Sequence, residues 1–136
     1  MQRTATCACE QLSITVEGDP RIVATCSCIQ CQKRTGSAFG VSSYFRDKQV
    51  LETRGEFTTG SRTADSGHTI SGNFCPRCGS TVFWKGDFIL GHTGIAVGCF
   101  GDPDFPQPTA AAWCATKHSW VDFPEHWKHS DTQDFS

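Results

Sequence analysis

The chain has no hydrophobic run approaching the roughly 20 apolar residues that cross a bilayer as a helix, so no membrane-spanning helix is expected. Its opening stretch, MQRTATCACE, carries no apolar segment behind Arg3, which argues against a secretory leader and makes a cytoplasmic location the expectation. An excess of one charge sign is also missing: 12 Lys and Arg face 14 Asp and Glu, for a net charge of −2. Neither nucleic acid nor an acidic membrane is therefore expected as a partner, and no long basic arm suited to filaments or chromatin is present. Helical periodicity is scarce. No repeat, linker or shift in composition divides the 136 residues, so residues 1–136 read as a single domain, of a size that buries roughly two thirds of its unfolded surface.

Cysteine, by contrast, is abundant: there are 9. In a secreted chain they would suggest a disulfide framework, but the count is odd and no export signal is visible. In a reducing compartment, clustered cysteines are more often metal ligands or redox groups.

The pattern between the cysteines reads as all-β. Leu12, Ile14 and Val16 alternate with polar residues, as on a half-buried strand, and Gly18-Asp19-Pro20 turns it. Phe39 to Phe45 reads as another strand. Thr81 to Trp84 and Phe88 to Leu90 flank Lys85-Gly86-Asp87 as a short hairpin, Ile95 to Phe100 is a further strand, and Trp113 and Val121 fall in two more. One helix is expected, Ile29 to Thr35, ended by Gly36 in the left-handed conformation. A single helical turn is expected near Glu125 to Lys128, hairpin ends or a mobile loop over Arg54 to Gly67, and a fraying polar tail over Lys128 to Ser136. Trp84, Trp113, Trp120 and Trp127 read as core residues rather than as a substrate cage.

Three clusters carry the chemistry: Cys7-Ala-Cys9, Cys26-Ser-Cys28-Ile-Gln-Cys31 and Cys75-Pro-Arg-Cys78-Gly79. The last has zinc-ribbon spacing. Its turn aims backbone N–H groups at the sulfurs, and the glycine after the second cysteine accepts the positive φ such a knuckle needs. A redox pair is the competing reading, disfavoured because no βαβ pattern surrounds it. Tetrahedral zinc needs four ligands, and spacing alone does not say which cysteines join Cys75 and Cys78. Pairing them with Cys7 and Cys9 closes one site and leaves Cys26, Cys28 and Cys31 with an open position, the usual form of a catalytic zinc site. The second site closes instead if Cys99, Cys114 or a histidine completes it. Cys99 and Cys114 sit alone in apolar surroundings and read mainly as small buried hydrophobes. Of the histidines, His92 is the one best placed to be of interest.

Taken in order, CAC, CSCIQCQKRTGSAF, NFCPRCGS and a weaker GCFGDPDF followed by a later Trp resemble the family of glutathione-dependent formaldehyde-activating enzymes, which also includes centromere protein V. The resemblance runs from about Cys7 to Trp120. It implies a fold of several coiled β-sheets, like that of the zinc-binding chaperones of Rab GTPases (Mss4-like). It further implies a closed structural zinc at Cys7, Cys9, Cys75 and Cys78, and a second zinc at Cys26, Cys28 and Cys31 that meets the substrate thiol. The implied reaction joins glutathione and formaldehyde, making the chain a zinc-dependent carbon–sulfur lyase on a glutathione adduct of a small aldehyde. Such a zinc deprotonates a bound thiol and leaves it nucleophilic. Glutathione carries two carboxylates, and Lys33, Arg34 and Ser37, just beyond Cys31, are candidate contacts for it. The competing reading is a non-catalytic zinc module that docks on a protein or carries a thiol. The chain departs from the family pattern at Glu10, where Gly is common, in the block Gly98 to Pro103, and at Ala111, where a His often stands.

Overall fold

A computed structural model describes residues 1–64 and 66–135; Asp65 and Ser136, which fall in two of the segments considered above, lie outside the described residues. Strands are numbered in chain order. β1 (Gln2–Thr6), β2 (Ser13–Glu17) and β5 (Val50–Arg54) form a small antiparallel sheet in the order β1-β2-β5. The remaining strands form one larger sheet. From one edge to the other they run β11 (Lys128–His129), β10 (Ala110–Ala112), β3 (Ile22–Cys26), β4 (Gly40–Arg46), β9 (His92–Ala96), β8 (Thr81–Gly86), β7 (Thr69–Phe74) and β6 (Thr58–Thr63). Pairing is antiparallel except where β10 runs parallel to β3 and to β11. The mainly β architecture expected from the sequence is what the chain adopts.

Side-chain alternation gives the large sheet two different faces. On one, Val23, Ser43, Phe45, Val82 and Ile95 are buried, and they meet Ala5, Leu12, Ile14 and Val16 of the small sheet in the core. The three apolar residues that alternate along β2 are each at most 1% exposed, so the half-buried strand expected there is present. On the other face, the intervening residues Ile22, Ala24, Ser42, Tyr44, Ile70, Gly72 and Trp84 border an open cavity.

The single α-helix, α1 (Ile29–Thr35), has the expected bounds. Cys28 caps its start: its sulfur accepts the backbone N–H of Cys31 at 3.3 Å, in the place usually taken by a Ser or Asp oxygen. Gly36 ends it at φ 64°, donating its N–H to the carbonyl of Gln32.

Several expectations are corrected. Phe88 to Leu90 is a turn rather than a strand, and the strand returning from β8 starts at His92. The Ile95 to Phe100 stretch divides: β9 ends at Ala96, and Val97–Phe100 winds into a 3-10 turn that Gly101 closes at φ 60°. Trp113 and Val121 lie outside strands, whereas the single turn expected near Glu125 to Lys128 is present, with Trp127 N–H donating to Pro124 O at 3.1 Å, though it does not extend into a helix. The Arg54–Gly67 stretch contains a full strand, β6, held to β7 by polar cross-strand pairs: Thr59 Oγ1 donates to Asn73 Oδ1 at 2.7 Å, and the Ser61 and Ser71 hydroxyls lie 2.9 Å apart. The C-terminal segment is anchored by its backbone. Ser130 N–H donates to Ala111 O, Trp113 N–H to Thr132 O, and Cys114 N–H to Ser130 O. Of the four tryptophans, Trp84 is buried but Trp120 is 72% exposed and does not belong to the core.

Candidate metal centre and substrate cavity

The loop after β1 and the turn between β7 and β8 bring Cys7, Cys9, Cys75 and Cys78 together, with their sulfurs all within 4.8 Å of one another. Cys7 and Cys75 are buried at the rim of the core, and Cys9 and Cys78 face solvent. The Cys7–Cys9 and Cys9–Cys75 sulfurs lie 3.6 and 3.7 Å apart, close to the edge of about 3.8 Å of a sulfur tetrahedron around zinc with bonds of about 2.3 Å. Donors surround the sulfurs: Leu12 N–H points at Cys7, and Arg77 N–H and the Gln11 side-chain amide at Cys75. The Ser80 hydroxyl and backbone N–H hold the Cys78 thiol down at about 5. Gly79 takes φ 80°, as the knuckle requires. This donor set fits a closed metal site.

The second cluster is built by the junction of β3 and α1. Cys26 ends the strand, Cys28 caps the helix and Cys31 faces inward from its first turn; the three sulfurs also lie within 4.8 Å of one another. Hydrogen bonds from the Cys26 and Cys31 thiols hold Cys28 down at about 2. The matching bonds to Cys28 and Cys31, together with burial, push Cys26 far above the ordinary thiol range. Three sulfurs this close share one negative charge unless a cation joins them, and a metal would take the protons' place. The cluster therefore also fits a metal.

Among the described residues no fourth Cys, His, Asp or Glu joins the three-cysteine cluster. The Cys99 thiol points at Thr81 O and the Cys114 thiol at Ala111 O. His92 Nδ1 lies 2.9 Å from Leu90 O, at the start of β9. All three cluster cysteines border the cavity, which has a volume of about 900 Å3.

Lys33 and Arg34 of α1 line this cavity, whereas Ser37 is exposed beyond the helix end and outside the lining. Arg34 is fixed by packing. Its guanidinium lies over the Trp84 ring, 4.8 Å from the ring centre, and a Cβ on Gly40 would come within 2.8 Å of its Nη2. Trp84 is seated in turn on Gly94, where a Cβ would meet the indole nitrogen at 2.1 Å. Both close approaches require glycine.

Two functional candidates escape a reading of the sequence. Arg62, on β6, borders the cavity with its Nη1 buried and without a hydrogen-bond partner among the described residues, and its charge helps hold Cys28 in the thiolate form. Tyr44, the only tyrosine in the chain, also borders the cavity. Its oxygen accepts from Trp84 Nε1 at 3.4 Å, and burial raises its pKa. The lone tyrosine was a visible signal; the polar strand carrying Arg62 offered none.

The family described as "Glutathione-dependent formaldehyde-activating enzyme" matches residues 2–116. No curated protein matches the chain significantly. A crystal structure of a Rhodobacter sphaeroides protein superimposes with a TM-score of 0.58 at 20% identity, covering 74% of this chain and 91% of the other. At that identity the likeness is one of fold. Among the described residues, no helix is long and apolar enough to cross a membrane.

Proposed function

The chain belongs to the family of glutathione-dependent formaldehyde-activating enzymes, and from that premise we propose that it is a zinc-dependent carbon–sulfur lyase acting on glutathione adducts of aldehydes. The observation that carries this reading is the three-cysteine cluster opening onto a cavity lined by Lys33, Arg34, Arg62 and Tyr44. Cys7, Cys9, Cys75 and Cys78 would hold a structural zinc, and Cys26, Cys28 and Cys31 the one at the reaction site. Zinc bound there supplies a stabilised thiolate at neutral pH.

The chain's own residues bind and orient the reactants. Arg34 and Arg62 neutralise the glutathione carboxylates, Arg34 with its plane already fixed by Trp84 and Arg62 with an unmatched donor at Nη1. In the forward direction the glutathione thiol loses its proton to water and its sulfur attacks the carbonyl carbon: the carbon–sulfur bond forms, the carbonyl π pair moves to oxygen, and that oxygen takes a proton, while the proton given up by the thiol restores the donor through water. Tyr44 is suited to give this proton or to hold the developing oxyanion, because it borders the cavity and burial keeps it protonated. In reverse, Tyr44 recovers the proton as the bond breaks. The uncatalysed addition already proceeds, so positioning supplies most of the acceleration.

Exchange of labelled formaldehyde into S-hydroxymethylglutathione, followed by carbon-13 NMR, tests the reading. The zinc-loaded protein should accelerate exchange, and Tyr44→Phe should slow it by about 100-fold while glutathione still binds. Exchange at the uncatalysed rate with the native protein would contradict an enzymatic role and leave a thiol-binding or docking module.

A further inference from the structure

The cavity carries far more apolar wall than the adduct of glutathione with formaldehyde can use. Ile22, Ile70, Phe74, Trp84 and Phe88 all border it. Ile70, Phe74 and Phe88 lie outside the buried core cluster, and Phe88 packs edge-on against Tyr44, itself a cavity residue, with 5.8 Å between ring centres. Glutathione is charged at both ends and polar along its backbone, and a hydroxymethyl group adds one carbon and one hydroxyl. Laying such groups on an apolar wall removes water without replacing its hydrogen bonds.

The floor of the cavity is hollowed as well. Gly60 on β6 stands directly across from Gly72 on β7, and Gly72 pairs in turn with Trp84 on β8. Packing does not demand these glycines. A Cβ on Gly72 would meet nothing closer than Thr81 Cγ2 at 3.8 Å, and one on Gly60 nothing closer than Phe74 Cε1 at 3.9 Å. Neither has a positive φ. Glycine in the interior of paired strands costs stability and marks a bulge, a tight bend or a close approach by a ligand or another backbone; the β7–β8 register shifts between Asn73 and Phe74, next to Gly72, but the β6–β7 pairing through Gly60 is regular. Here the two together leave a trough beside the indole, flanked by Ile70 and Phe74.

We propose that the aldehyde partner is bulky and apolar, an aryl or branched-alkyl aldehyde, whose side group lies in the Gly60–Gly72 trough while the glutathione carboxylates meet Arg34 and Arg62. This rests on reading the cavity as the glutathione-adduct site. The chemistry is that of the parent reaction: the glutathione S–H and the aldehyde C=O become a carbon–sulfur bond and a hydroxyl, with no change in oxidation state, and the reverse step releases both reactants. The partner is thus set by an apolar pocket of stated position, and formaldehyde leaves that pocket unfilled.

Binding of two unreactive thioethers, S-methylglutathione and S-benzylglutathione, to the zinc-loaded protein tests the proposal by isothermal titration calorimetry. S-Benzylglutathione should bind at least tenfold more tightly. Gly72→Val, which fills the trough on the cavity side, should remove most of that preference, and Ile70→Ala should reduce it if the valine variant does not fold. Leu51→Ala, an exposed residue on the small sheet, should leave the preference intact. Equal affinities for the two thioethers, or a preference untouched by both cavity variants, would overturn the proposal while glutathione binding still upholds the glutathione-adduct reading. Failure of glutathione and both thioethers to bind would overturn that reading and the proposal together.

Discussion

The guanidinium of Arg34 lies over the indole of Trp84, 4.8 Å from its centre, at the wall of the cavity that holds the three-cysteine cluster. This contact joins α1 to the large sheet and sets a charged plane beside the site. The same indole also donates to the Tyr44 hydroxyl, so one buried side chain holds both of the residues proposed above to meet the substrate.

Stacking of this kind distinguishes arginine from lysine. A lysine at position 34 keeps the charge but loses the planar fork and the fixed orientation over the ring. Arg34→Lys should raise KM for glutathione by about three- to tenfold with kcat little changed, as expected for an interaction made equally in the ground and transition states. Steady-state kinetics separates the two constants. A fall in kcat alone would show that Arg34 acts on the reacting atoms instead.

Removing a ligand from each cysteine cluster should have different consequences. Cys75 is fully buried at the core rim, and its cluster ties the β1–β2 loop to the β7–β8 turn. Cys75→Ser should lose one metal and most of the folded protein, since a structural metal contributes folding free energy directly. Cys28→Ser keeps an oxygen able to cap α1, so it should give a folded protein with one metal and no thiol-dependent activity. Circular dichroism with metal analysis checks both. Equal unfolding by the two variants would erase the division into structural and reactive sites.

Glu10 occupies a left-handed conformation at φ 68° in the turn after Cys9, with its N–H bonded to Cys7 O at 3.0 Å. A residue with a Cβ is strained there by about 1 kcal/mol. Glu10→Gly should therefore leave the protein as stable as before or more so, despite the greater freedom glycine gives the unfolded chain. Thermal melting of the metal-loaded protein measures this; a large loss of stability would mean the Glu10 side chain makes a contribution that its exposed position does not suggest.

Much of the cysteine clustering was legible in the sequence because its determinants are local. Cys28 and Cys31 are one helical turn apart, Gly36 stops that turn, and Gly79 permits the knuckle at Cys75 and Cys78. The joining of Cys7 and Cys9 to that knuckle could be narrowed but not decided from spacing, because it depends on how the small sheet docks on the large one. The cavity was not legible. Arg62 lies on a strand whose Thr, Ser and Gly residues read as loop, and only the register of β6 on β7 and β8 carries it toward Cys28. Gly60 and Gly72 are 12 positions apart and become a trough only when those strands pair. Phe88 to Leu90 and Val97 to Phe100 have the apolar content of strands. Turn geometry, and the glycines that follow at Gly91 and Gly101, decide against extended structure in each.

One cysteine cluster is proposed to be closed and the other to present an open metal position to glutathione. Metal content per chain, measured by mass spectrometry under reducing conditions and followed by X-ray absorption with and without saturating glutathione, tests it directly. A zinc ion for each cluster is expected, with one additional sulfur neighbour on half the metal when glutathione is added. Zinc at the four-cysteine cluster alone, or spectra that no thiol alters, would contradict it.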